Sequence, residues 1–196
     1  MDKTINILKV KEIKSTHTYL LEDVEGEDIV VIADRQTQGV TSKPDQAWHS
    51  ELGGLFLSLR VTNRGLMRSR KEAVKEIGTE LSELFSSLFN INIAYQSPND
   101  LYVKDKKIGG IILKRNNLTT IYSLGLNINQ THFPDELKNI ATSVILETFR
   151  ENEMDVVINA VINYFQEKLA YYQAKQPHYI KPLETRAYTK RKKRYG

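Results

Sequence analysis

The chain has 196 residues, 40% of them hydrophobic and 27% charged, which suits one compact domain with a buried core; two full domains would be cramped. No cysteine is present, so disulfide staples, thiolate metal sites and cysteine nucleophiles are excluded together. The net charge of +4 is carried by the C-terminus, where Arg186, Lys190, Arg191, Lys192, Lys193 and Arg194 follow Glu184 without an acid, so the rest of the chain is net acidic and no basic platform for nucleic acid.

The N-terminal MDKTINILKVKEIK lacks the apolar core of a signal peptide, and no apolar run approaches the roughly 20 residues that span a bilayer. A cytoplasmic protein without a membrane span is expected. In chain order, Ile29 to Ala33 and Leu55 to Val61 read as short buried strands, being rich in Ile, Val and Leu and bounded by polar residues or glycine. From Ser69 to Phe89, Val74, Ile77, Leu81, Leu84, Phe85 and Leu88 recur at steps of three and four, the stripe of an amphipathic helix. Ile111 to Leu113 and Thr119 to Leu124 predict two further strands. A second helix is expected from Pro134 through Phe149, since proline and acids favour a first turn, and a third from Met154 to about Tyr172. The order predicts an α+β fold in which a mixed β-sheet packs against helices. Residues 1–180 are expected to form this one domain and residues 181–196 a basic tail, solvated as charge runs usually are; Tyr188 and Tyr195 keep RNA contact as the alternative.

The most informative stretch is Ser97 to Gly110, SPNDLYVKDKKIGG. Pro98 and Asn99 set a turn, Asp100 places a carboxylate at its mouth, and Gly109 and Gly110 permit close backbone approach. A lysine seven residues beyond the acid, Lys107, can return across a hairpin to the same place. The turn alone reads equally well as an ordinary exposed hairpin. His17, His49, His132 and His178 show no metal-ligand spacing, so no protein metal site is expected, and all but His17 are assigned ordinary structural roles.

Four stretches together resemble the catalytic core of the biotin–protein ligases, in the family's order from Ser15 to Asn129: KSTHTYLL at Ser15, Gln36 to Trp48 running into HSELGGLFLSL, the Pro98-Asn99-Asp100 turn with Lys107-Ile108-Gly109-Gly110, and GLNIN from Gly125. The resemblance implies a ligase-like catalytic domain that activates biotin with ATP and Mg²⁺ as biotinyl-5′-AMP and transfers it to a lysine of a biotin carboxyl carrier domain. It implies that Ser15, Thr16, His17 and Gln36 meet the biotin head, and that Lys107 reaches the biotin carboxylate and the adenylate phosphate. It further implies Asp100 as the acid of the turn after Asn99, Gly39 as what remains of the ligand loop, Gly110 as a close approach to ligand, Trp48 as a ring near the adenine and Asn127 at the nucleotide edge.

The sequence departs from the family in that loop. Where a GRGRxGR pattern is usual, residues 39–47 read GVTSKPDQA, with Lys43 as the sole cation, and Ser97 stands where tryptophan is usual. Loss of guanidinium groups weakens phosphate binding, because lysine cannot reproduce a bidentate contact. The readings left open are, in order, a divergent active ligase, an enzyme that holds its intermediate loosely, and a relative that binds biotin without adenylation. A lipoate or octanoate ligase is a further alternative; its arginine-containing triple-glycine stretch is absent. With little chain before Ser15, no helix-turn-helix and no specific DNA binding are expected, and with only a helix and tail after Asp155, no C-terminal β-barrel. Edge strands in the family commonly pair two subunits, so a homodimer is compatible with the resemblance.

Overall fold

The structure, a computed structural model, describes residues 5–23, 27–43, 46–62, 69–116 and 118–174. Its centre is a seven-stranded sheet built from β1 (Asn6–Ile13), β2 (Ile29–Gln36), β3 (Gly54–Thr62), β4 (Ala94–Gln96), β5 (Asp100–Val103), β6 (Lys106–Arg115) and β7 (Thr119–Asn127). The spatial order is β1-β2-β3-β7-β6-β5-β4. Only β1 and β2 run parallel and the other described pairs are antiparallel, so the sheet is mixed, as the sequence predicts.

The helices are α1 (Thr16–Glu22), α2 (Arg70–Phe89), α3 (Val144–Thr148) and α4 (Met154–Ala174). Helix α2 follows the predicted stripe closely: Ser69 caps it by accepting from the Glu72 N–H while the Glu72 carboxylate accepts from the Ser69 N–H, and Val74, Ile77, Leu81 and Phe85 are buried. Helix α4 starts where expected and contributes Val157, Val161 and Phe165 to the same core.

Strand alternation then separates two faces. Leu55, Leu57, Leu59 and Val61 of β3, with Leu124 and Leu126 of β7, join the core shared with α2 and α4. The intervening Ser58 contacts Thr16 of α1, and Val31 and Ile121 pack with Leu20 of α1. Polar side chains of the central strands thus point to the α1 side, where the core is thin.

The helix expected over residues 134–149 does not form as such. Pro134 to Ala141 makes successive turns, with Leu137 N–H donating to Pro134 O and Ala141 N–H to Leu137 O, and only α3 is helical. The cause is tertiary: Lys107 N–H donates to Ile140 O, Thr142 N–H donates to Lys107 O, and Ser143 then caps α3, so the chain leaves the helical path to clamp β6. Apolar spacing at Leu137, Ile140 and Ala141 imitated a helix, yet Ile140 is 58% exposed. Among the described residues no helix is long and apolar enough to cross a membrane. His178 and the basic tail lie outside the described residues.

Candidate active site

Strand β5 turns through Lys104 and Asp105 into β6, setting Asp100 opposite Gly110 and Tyr102 opposite Lys107. A register shift between Leu101 and Tyr102 interrupts the ladder there, the kind of irregularity that re-aims a side chain. Lys107 Nζ lies 2.7 Å from Asp100 Oδ1, both side chains are about a quarter exposed (29% and 25%), and the ammonium lies 5.2 Å from the centre of the Trp48 ring. The contact is an ion pair by distance without hydrogen-bond alignment, so the buried Asp100 Oδ1 takes no directional hydrogen bond. Trp48 Nε1 is likewise a buried donor with no hydrogen-bond acceptor.

The loop after β2 carries Trp48 over this hairpin. Val40 and Ala47 close it as a bridge, Trp48 N–H donates to Gly39 O at 2.9 Å, and the Asn99 amide donates to Ser42 Oγ at 3.2 Å, tying the loop to the Pro98 turn. A Cβ on Gly39 would fall 2.4 Å from Ser50 Oγ and 2.5 Å from Trp48 O, so the loop closes only around a glycine. Gly125 is similarly required, since a Cβ there would meet the Trp48 indole at 2.8 Å.

At the far end, Ser15 caps α1 by accepting from Thr18 N–H. Thr16 N–H donates to Gln36 Oε1 at 2.8 Å, and His17 Nδ1 lies 2.8 Å from Ser123 Oγ. Burial, and after it the positive charge of Lys114, hold the His17 pKa below its ordinary value, so the ring is neutral near pH 7.

Between these ends lies a cleft of about 430 Å³, part of it open to solvent. Of the residues singled out in the sequence, Ser15, Thr16, His17, Gln36, Trp48, Asn99, Asp100, Lys107 and Gly110 all line it. Gly39 and Asn127 do not. Asn127 is buried, donating to Thr142 O at 2.9 Å and accepting from Gln130 Nε2 at 3.3 Å, so its amide holds the segment that clamps Lys107. Sequence reasoning passed over Ser58 and Ser123, which sit opposite each other in the β3–β7 register and bond to one another. Their signal was present: each is a lone hydroxyl inside an apolar strand, LFLSLRV and TTIYSL.

The cleft therefore has an oriented polar end, an aliphatic wall that includes Ile112, and the Lys107–Asp100 ion pair at its mouth, which suits an amphipathic acid with a polar head. Among the described residues no group of three His, Cys, Asp or Glu side chains is placed to hold a metal ion.

Comparison with known proteins agrees with this shape. The model of the biotin/lipoate A/B protein ligase family matches residues 10–129, more than half the chain. The bifunctional ligase/repressor BirA of Bacillus spizizenii is 26% identical over 166 residues, covering 81% of this chain and 50% of that protein, and BirA of Bacillus subtilis gives the same figures. The chain spans about half the length of these relatives. The biotin protein ligase of Aquifex aeolicus, solved with biotin and ATP, superposes with a TM-score of 0.76 at 27% identity, covering 87% of this chain and 73% of that one. A lipoate protein ligase from Thermoplasma acidophilum shares the fold at a TM-score of 0.62 and 13% identity, covering 85% of this chain and 84% of its own.

Proposed function

The chain belongs to the biotin/lipoate A/B protein ligase family, and on that premise we propose that it activates biotin with ATP to biotinyl-5′-AMP and transfers the biotinyl group to a lysine of a biotin carboxyl carrier domain. The observation that carries this reading is the pairing of Lys107 with Asp100 at one end of a cleft whose other end holds Thr16, His17 and Gln36. A biotin molecule has the same polarity, with a ureido head and a carboxylate tail.

In the first step a carboxylate oxygen attacks the α-phosphorus, the bond to the bridging oxygen breaks, and pyrophosphate leaves. Negative charge meets negative charge as the two approach, and the Lys107 ammonium is the cation held at that end. Fixed in place by the Asp100 carboxylate and by backbone bonds to Ile140 and Thr142, it needs little reorganisation as charge develops. Trp48 covers the lysine. In the second step a neutral carrier amine attacks the acyl carbon, AMP departs, and the amine loses a proton. The Asp100 carboxylate, paired with Lys107 at the same end of the cleft, is the acceptor assigned to that proton.

Mg²⁺ supplies charge neutralisation to the triphosphate. Among the described residues Asp100 is the one carboxylate lining the cleft, and a single carboxylate would suit this ion, which commonly keeps waters and substrate phosphates as its other ligands. The loop at residues 39–47 offers only Lys43 in place of several guanidinium groups, so the intermediate is held more loosely than where those groups are present.

The test is incubation of the protein with biotin, Mg²⁺ and α-labelled ATP, with octanoate and lipoate in parallel. Biotin-dependent labelled adenylate with pyrophosphate release is expected. Product with lipoate or octanoate alone would move the protein to the other branch of the family, and no product with any acid would leave a binding protein.

A further inference from the structure

The loop over residues 39–47 carries a single cation, Lys43, although the first step releases a pyrophosphate with several negative charges. A second hollow, of about 760 Å³ and partly open to solvent, adjoins the cleft along Ser42, Asn99, Ile111 and Ile112, which line both. It touches none of the head-end residues Thr16, His17, Gln36 and Ser123, and meets the cleft beside Asp100, the partner of Lys107. Asn99 O accepts from Ile111 N–H at 2.8 Å, and the Asn99 amide donates to Ser42 Oγ at 3.2 Å, so the shared wall is held in place.

The remaining lining of this hollow includes Arg70 and Lys71, the first two residues of α2. Both are exposed, and neither makes an ion pair or a side-chain hydrogen bond among the described residues. The acid of the same turn, Glu72, is turned back on Ser69, accepting from its N–H at 3.0 Å and from its hydroxyl at 2.7 Å. Cations in a first turn oppose the helix macrodipole, so helix stability does not account for them. Val74 and Leu113 give the hollow an apolar floor, and low-dielectric walls strengthen the field of charges beside them. Substitution at phosphorus sets the attacking and leaving oxygens roughly in line. With the acid lying from the head end towards Lys107, pyrophosphate departs away from the head end, where this hollow adjoins the cleft.

We propose that Arg70 and Lys71 bind the β- and γ-phosphates of ATP and the pyrophosphate that leaves, in place of guanidinium groups that the 39–47 loop lacks. This rests on the adenylation reading and deepens it, because the leaving group then has a site apart from the one that holds the adenylate. Removing the two cations should weaken ATP and pyrophosphate while sparing AMP and the finished adenylate, a split that a purely structural role would not produce.

The experiment compares the wild type with the double variant Arg70→Gln/Lys71→Gln and with Lys75→Gln, an exposed cation of α2 that lines neither hollow and so controls for net charge. Glutamine is a good helix former, which preserves α2. Calorimetry measures inorganic pyrophosphate and AMP, kinetics measure the KM for ATP and transfer from preformed biotinyl-5′-AMP to a carrier domain, and thermal melts report folding. The double variant is expected to bind pyrophosphate about tenfold more weakly and to raise the KM for ATP similarly, the scale of losing charge-assisted hydrogen bonds. AMP affinity, carrier transfer and melting temperature are expected to stay unchanged. Unchanged pyrophosphate affinity and KM in the double variant, an equal loss for AMP, or an equal effect of Lys75→Gln would each overturn the proposal. A wild type that forms no adenylate with biotin, octanoate or lipoate would instead overturn the adenylation reading, while pyrophosphate calorimetry would still decide whether Arg70 and Lys71 hold a diphosphate.

Discussion

Lys107 and Asp100 meet across the β5–β6 hairpin, Nζ to Oδ1 at 2.7 Å, at the one place where the β5–β6 register shifts. Because both groups are partly exposed, the pair contributes little to folding, on the order of 1 kcal/mol or less after solvent screening. The role proposed for it lies in chemistry. Lys107→Gln is expected to leave the melting temperature almost unchanged while slowing biotinyl-adenylate formation by about 100-fold or more, the scale of losing a fixed electrostatic contact to a developing charge. Asp100→Asn should act mainly on transfer to the carrier. Single-turnover measurement of pyrophosphate release and of carrier labelling separates the two, and wild-type pyrophosphate release by the lysine variant would end its catalytic assignment.

Two glycines around Trp48 are expected to respond differently. A methyl group on Gly125 would press on the indole at 2.8 Å, so Gly125→Ala should displace Trp48, lower stability and weaken nucleotide binding together. A methyl group on Gly110 would meet Asp100 Oδ1 at 3.5 Å and the Trp48 ring at 3.6 Å, ordinary contact distances. Gly110→Ala should therefore fold as the wild type does but lose ligand affinity, because the methyl occupies the cleft. Calorimetry with biotin and a thermal melt on both variants check this; a Gly110→Ala protein of unchanged affinity would show that no ligand passes close to that residue.

Much of this architecture was legible because local and tertiary signals agreed. Over Ser69 to Phe89 the apolar stripe points to one helix, and α2 forms there, with Ser69 and Glu72 as its capping pair. The four strands read from apolar runs are all present but longer, since their ends carry polar residues that the sheet still pairs, as at Arg35 with Glu12. β1 was not read because it is an edge strand whose Lys and Glu residues stay exposed, giving a pattern without a buried face. Residues 134–149 failed for the opposite reason, since a helical pattern was overruled by backbone bonds to Lys107. At the site, the motif residues named the cleft, but the partnership of Ser58 with Ser123 depends on a strand register that no short motif encodes.

Arg60 is a buried cation outside the cleft. Its side chain is 3% exposed, with Nε and Nη2 donating to Glu27 O at 3.2 and 3.0 Å, Nη2 to Asp23 Oδ2 at 3.0 Å, and Nη1 to Asp23 O. One guanidinium thus ties the end of α1 to the approach to β2. Arg60→Met keeps the length but leaves these carbonyls unpaired, and a loss of about 1–3 kcal/mol is expected in denaturant unfolding. Arg60→Lys should recover little, since an ammonium cannot reproduce the planar fork. A methionine variant as stable as the wild type would show that water satisfies those groups equally well.

The packing of α2 against α4 carries a pH dependence that can be signed. Lys168 Nζ reaches Glu76 Oε1 at 2.7 Å and also contacts Glu80, while the Tyr164 hydroxyl donates to Glu80 at 2.6 Å and the Tyr172 hydroxyl to Glu76 at 3.0 Å. Burial first, and then its hydrogen bond to a carboxylate, push the Tyr172 phenol up to about 12, and burial followed by the Glu80 contact raises Tyr164 as well. A phenol whose folded pKa exceeds its unfolded value stabilises the fold fully below the unfolded value and loses that contribution as pH rises through the folded one. Stability should therefore fall between about pH 10 and pH 12, the window marked out by Tyr172, as ionised phenolates appear beside Glu76 and Glu80. Tyr172→Phe removes one of the titrating groups, so its stability should be lower near neutral pH but less steep across that window. Urea unfolding at a series of alkaline pH values checks both slopes, and identical slopes for the two proteins would mean that Tyr172 ionises alike in the folded and unfolded chains.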